Sequence, residues 1–260
     1  MKRRKFFGYA GASLVTTFGL GLTDRWNKAQ AQTDRVTIRG LGHTAFLFTG
    51  DGRRVLVNPF RRIGCTLGYA SPAVEADMVM VSSRLFDEGY LEDLPGNPQV
   101  LAEPGTYDFE GLTVQGILVP HDREGGRRFG DNIIWKWNQG GVNIVHMGGA
   151  AAPLGVEEQI LLGRPDILLV PVGGGPKAYN AEEAVQAVQT LKPKVVIPTH
   201  YLTAAADAES CDLSGVDEFL ALMQGTPVTK ANAGALSVRP GDLPAEGMRI
   251  QVYEFPLRQE

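Results

Sequence analysis

Residues 40–60 read Gly-Leu-Gly-His-Thr-Ala-Phe-Leu-Phe-Thr-Gly-Asp-Gly-Arg-Arg-Val-Leu-Val-Asn-Pro-Phe. Two apolar runs, Ala45–Thr49 and Val55–Asn58, flank a polar stretch whose Asp51-Gly52 is a strong hairpin signal. A third run, Val36–Arg39, precedes them across Gly40–Thr44, so the segment predicts three short strands with His43 in the first connection.

Downstream, Met78–Ser82, Val100-Leu101, Thr113–Val119, Ile133–Trp137 and Val142–His146 continue the strand series. The second half mixes in helices. Val156–Leu162, Ala181–Leu191 and Val216–Met223 predict helices, the second with Ala184, Val185, Val188 and Leu191 as its apolar positions. Ile167–Val172, Lys194–Pro198, Leu236–Val238 and Arg249–Phe255 predict further strands. Strands alternating with helices in this way, with 32 glycines to turn between them, argue for one layered α/β sandwich.

The first residues read as an address. Arg3-Arg4-Lys5-Phe6-Phe7 is a twin-arginine pair, an apolar Gly/Ala-rich stretch follows to Leu22, and Ala29-Gln30-Ala31 offers a small-residue cleavage site. A twin-arginine (Tat) export signal over residues 1–31 and a domain over 32–260 are therefore expected, with the periplasm or the thylakoid lumen as destination. Contact with a membrane is expected only through an uncleaved signal. The segment carries +5, so its loss takes the chain from −4 to −9. Nucleic acid is a poor partner for so acidic a protein; a small anionic molecule or a protein of the export compartment is the expected partner. Cys65 and Cys211 are the two cysteines; an oxidising compartment permits them to pair, and nothing local demands it.

Histidine is the informative residue. Of His43, His121, His146 and His200, three follow strand-like runs, and strand ends converge at one sheet edge, where α/β folds place their sites.

Gly40–Thr44 with Val55–Phe60, Val114–His121, Val145–Gly149 and Val195–Tyr201 together resemble, in order and spacing, the metallo-β-lactamase-fold hydrolases, in particular the branch of ascorbate-6-phosphate lactonase. The resemblance runs from Val36 to Tyr201 and implies a four-layer αββα metallo-β-lactamase sandwich. It also implies a dinuclear metal site, most of which this chain lacks. Where the family has SHxHxDH, this chain has Ser82-Ser83-Arg84-Leu85-Phe86-Asp87-Glu88, which keeps only the aspartate. The bridging aspartate of the family's HxGD segment is Gly149, and its early aspartate is Asn58. His121 and His200 keep the third and last ligand positions.

One imidazole, His121, does not make the first metal site, since zinc enzymes take about three protein ligands plus water. Asp87, Glu88 and His200 remain as donors for one divalent ion, Zn, Mn or Fe, or for none. Asp87 and Glu88 also have a bland reading as cap and first-turn residues of a following helix. Asp87 or His121 is the expected catalytic group; His43, Arg84 and His146 are the expected lining of the cleft, with Arg84 bringing a cation where metal charge has gone. A serine mechanism through Ser83 lacks a nucleophile elbow. The expectation is a non-catalytic or weakly catalytic relative that holds a small anion or a partner; the alternative is a mononuclear hydrolase of an ester, lactone or phosphoester.

Overall fold

The computed structural model describes residues 34–207, 209–231 and 235–258; the expected export signal lies outside them. Strands β1 (Val36–Gly42), β2 (Ala45–Gly50) and β3 (Arg53–Val57) form an antiparallel meander, and β4 (Met78–Met80) and β5 (Gln99–Leu101) add to it in parallel. The second sheet is built from β6 (Gly105–Phe109), β7 (Leu112–Pro120), β8 (Asp131–Gln139), β9 (Val142–His146), β10 (Ile167–Pro171), β11 (Val195–Thr199), β12 (Val228–Ala231) and β14 (Arg249–Tyr253). Its order is β12-β14-β11-β10-β9-β8-β7-β6, while β13 (Ala235–Val238) closes the first sheet beside β1.

Both sheets are apolar on both faces, and period-two alternation decides which residue goes where. Phe46, Phe48, Val55, Val57, Met78 and Met80 meet Ile167, Leu169, Val195 and Ile197 in the core between the sheets. The intervening Leu168, Val170 and Val196 face the other way, against helices α1 (Val156–Leu162), α2 (Ala181–Leu191) and α3 (Asp217–Leu222). On the first sheet the outward Leu56 and Val79 pack with Phe60 and Tyr69, which come from a loop bearing a 3-10 turn, Gly64–Thr66. The layered sandwich expected from the sequence is thus the fold observed; its layer over the first sheet is made of loops among the described residues.

Cys65 and Cys211 form a disulfide, pinning that loop to the segment before α3. No helix among the described residues is long and apolar enough to cross a membrane.

Strand directions place the site. β7 and β9 each run antiparallel to β8, and β9, β10 and β11 are parallel, so β7, β9 and β11 all end at the same edge. His121 follows β7, His146 ends β9 and His200 follows β11. From the first sheet, the β1–β2 turn brings His43, and the loop after β4 brings Ser82–Gly89. No helix directly follows that loop: among the described residues the next α-helix starts at Val156, so Asp87 and Glu88 are free of the capping role.

Candidate metal centre

Three non-glycine residues at this edge hold left-handed backbone: His43 (φ 55°), Asn58 (φ 51°) and His200 (φ 52°). Such conformations persist where surrounding structure enforces them. Here the His200 amide donates to the His43 carbonyl at 3.3 Å, and the Asn58 carboxamide accepts from the Ser82 amide at 2.8 Å. One bond ties the end of β11 to the β1–β2 turn, and the other ties position 58 to the loop after β4.

His43, Asp87 and His200 each bring a donor atom to one place, all within 4.8 Å of one another. The His43 and His200 rings lie 4.1 Å apart, and His43 Nε2 is 3.7 Å from Asp87 Oδ2. Glu88 is wholly buried: its Oε2 accepts from Ser83 Oγ at 2.8 Å and faces His121 Nε2 at 3.4 Å, while Oε1 faces His200 Nδ1 at 3.4 Å. Both ring nitrogens of His43, His121 and His200 are buried without a hydrogen-bond partner, as is Glu88 Oε1.

Burial, with His200 next to it, lowers the His43 imidazole from 6.5 to about 4 against the pull of Asp87, which leaves the ring a neutral donor at neutral pH. Burial alone would raise both carboxyls; contact with His43 and the charge of Lys177 bring Asp87 well below the usual range, and His121 and His200 do the same for Glu88. The centre therefore holds two carboxylates beside the neutral ring of His43.

The sequence-derived candidates divide clearly. Asp87, Glu88, His121, His200 and His43 come together. His146 stands behind them with both nitrogens in use, Nε2 against the Thr44 carbonyl at 3.0 Å and Nδ1 accepting from the Gly148 amide at 3.1 Å. It has no lone pair for a ligand. Arg84 does not join: its side chain is 84% exposed, pairs with Glu103 and lines a different cavity, because its position in the loop points away from the sheet edge.

Lys177 was not foreseen. Its ammonium pairs with Asp87 at the floor of a groove of about 540 Å³ lined also by Ile63, Phe86, Phe129, Arg128 and the Cys65–Cys211 disulfide. Asp87 is the one member of the donor cluster that reaches this groove. Two braces hold the walls. Asp122 accepts four backbone amides, from Glu124, Gly126, Arg128 and Phe129, and these outweigh its burial to bring its carboxyl down to about 2. Arg123 spans to Glu183 and to the carbonyls of Gly175 and Ala178, locking the Lys177 loop to the start of α2. Arg123 is thus spent on structure.

A divalent ion fits this donor set. The four ring nitrogens of His43 and His200, buried without hydrogen-bond partners, are costly in a structural role and apt as ligands, and Asp87 supplies the charge.

Comparison with known proteins agrees with the fold. A family model described as a beta-lactamase superfamily domain matches residues 37–200. A UPF0173 metal-dependent hydrolase from Thermococcus onnurineus is 28% identical over 206 residues, covering 67% of this chain and 89% of the relative. A like-named protein from Thermoplasma volcanium is 29% identical over 191 residues, covering 62% and 82%. Among solved structures, a metallo-beta-lactamase superfamily protein from Thermotoga maritima superposes with a TM-score of 0.66 at 27% identity, covering 84% of this chain and 98% of its own. A metallo hydrolase from Ignicoccus hospitalis shares the fold at a TM-score of 0.55 and 19% identity, over 79% and 99% of the two chains.

Proposed function

The chain belongs to the beta-lactamase superfamily, and from that membership we propose that it is a metal-dependent hydrolase with a rebuilt, mononuclear centre in which His43, Asp87 and His200 hold the ion. The observation that carries this reading is the cluster of buried, unpartnered imidazole nitrogens facing a carboxylate at the floor of a groove. The relatives described as metal-dependent hydrolases support it.

A divalent ion bound there would supply Lewis acidity and would activate water. The chain's own residues do the rest. Asp87 reaches both the donor cluster and the groove, so it can orient by hydrogen bond a group lying in the groove. Lys177, freed from Asp87 when that carboxylate turns to an ion, would need a new anion; a carboxylate or phosphate on the substrate supplies one. Esters, lactones and phosphoesters that carry such a group are the proposed substrates. The apolar Ile63, Phe86 and Phe129 suit the less polar part of such a molecule. His121 lies behind Glu88 and outside the groove, so its contribution runs through Glu88.

The twin-arginine start supports export to the periplasm or the thylakoid lumen, and the disulfide agrees with an oxidising compartment.

A second reading, a non-catalytic protein that binds a small anion or a partner, is favoured by Lys177 alone, because its ammonium already neutralises Asp87. Elemental analysis of protein purified without chelator separates the two. Near-stoichiometric metal that is lost in His200→Ala supports the hydrolase. No metal in the unaltered protein, even after incubation with zinc, manganese and iron, leaves only the second reading.

A further inference from the structure

An ideal Cβ on Gly149 would fall 2.5 Å from Glu88 Oε1 and 2.3 Å from His121 Nε2. Both residues are fully buried. The Glu88 carboxylate therefore fills the volume into which any side chain at 149 would project. From that volume its two oxygens are divided between two rings: Oε2, held by Ser83 Oγ, faces His121, and Oε1 faces His200 Nδ1. With Nδ1 turned to Glu88, Nε2 is the nitrogen His200 has left for the side shared with His43 and Asp87.

We propose that Glu88 is the positioning carboxylate of this centre, delivered from the loop after β4 into the space that Gly149 leaves open, and that residues 88 and 149 form one coupled pair. The proposal rests on the reading of His43, Asp87 and His200 as metal donors. A ligating histidine commonly gives its second N–H to a carboxylate, which fixes its tautomer and ring orientation, and loss of that partner weakens metal binding about ten- to a hundred-fold. Glu88 Oε1, 3.4 Å from His200 Nδ1, stands where it can do this for His200, and Oε2 stands 3.4 Å from His121 Nε2. The absence of a side chain at 149 is then a requirement of the centre rather than a loss.

Cobalt(II) titration followed by visible absorption, with thermal melts alongside, tests both parts on the full chain. Glu88→Gln keeps the volume and removes the charge. It should bind cobalt about ten- to a hundred-fold more weakly, with an altered ligand-field spectrum and a melting temperature close to that of the unaltered protein. Glu88→Asp, which keeps the carboxylate, should recover part of the affinity. Gly149→Ala should lower the melting temperature, and adding Glu88→Ala to it should cost less than the same change costs alone. Cobalt binding by Glu88→Gln equal to that of the unaltered protein overturns the positioning role. Strict additivity of the two alanine changes overturns the coupling. No cobalt uptake by the unaltered protein overturns the metal reading, and the positioning role with it, whereas uptake that ignores Glu88 overturns the proposal alone.

Discussion

Acidification should destabilise this protein through buried imidazoles before its carboxylates matter, and His146 is where the effect can be isolated. His146 is fully buried, and Nδ1 accepts the Gly148 amide, so the folded chain has room for the neutral ring only. Burial lowers its pKa from 6.5 to about 4, partly opposed by the Thr44 carbonyl. In the unfolded chain the ring titrates near its ordinary value. Between the two values the unfolded chain takes up a proton that the folded chain refuses, so stability falls as the pH drops through about 6.5 and stops falling below about 4. The full shift corresponds to about 3 kcal/mol, of which about 2 kcal/mol is gone by pH 5. His43 works in the same direction, and Asp87 and Glu88, with depressed pKa values, lose their contributions only below the ordinary carboxylate range. The assay is urea unfolding at pH 7, 6 and 5 in the presence of chelator, for the unaltered chain and His146→Gln. The variant should be less stable at pH 7 and should show a pH dependence smaller by about 2 kcal/mol. Equal slopes for the two proteins would refute the assignment of a neutral, proton-refusing imidazole at 146.

Other consequences are more direct. Lys177→Met removes the internal cation that competes for Asp87, so zinc or cobalt affinity should rise by about tenfold while inhibition by small carboxylates weakens, read by metal titration and by inhibition kinetics. The Cys65–Cys211 bond spans 146 residues, for which loop-closure entropy gives a ceiling of about 5 kcal/mol; Cys65→Ser with Cys211→Ser should lower the urea midpoint markedly, and an unchanged midpoint would show the loop to be held by packing alone. Arg84→Ala breaks an exposed pair worth about 0–1 kcal/mol and lies off the groove; metal content and melting temperature should stay within error of the unaltered chain.

Strands buried on both faces were the most plainly legible in the sequence. β10 and β11 read as unbroken apolar runs because both faces are covered, one by the first sheet and one by helices. β6 and β12 were not foreseen. They are the two edges of the eight-stranded sheet, and their Gly-Thr-Tyr-Asp-Phe and Val-Thr-Lys-Ala sequences are largely exposed, so backbone pairing rather than hydrophobic pattern defines them. At the site, His121 and His200 were legible because they follow strand-like runs whose ends converge. His43 was placed nearby as lining, whereas the geometry puts it among the donors, a consequence of the left-handed turn that points its ring at His200. Lys177 carried no signal, since its loop is placed by contacts distant in sequence, the Arg123 brace and the Gly173–His200 backbone bond among them.

Residue-by-residue matching alone would describe the centre as decay: histidines absent at 83, 85 and 88, an aspartate absent at 149. Decay predicts independent losses, and buried polar groups left without purpose are costly enough to be replaced by apolar ones. Position 85 shows what such replacement looks like, since leucine stands there against the groove. Positions 83 and 88 do not. Ser83 donates to Glu88, Glu88 stands between two histidines, and its carboxylate occupies the space that glycine at 149 opens. Three of the changed positions thus interlock physically, and three buried imidazoles keep all of their nitrogens free of other partners. An arrangement that leaves its imidazole donors without hydrogen-bond partners and sets a carboxylate between two of them fits the proposed cation better than it fits decay, and the groove above Asp87 would give a substrate access to it.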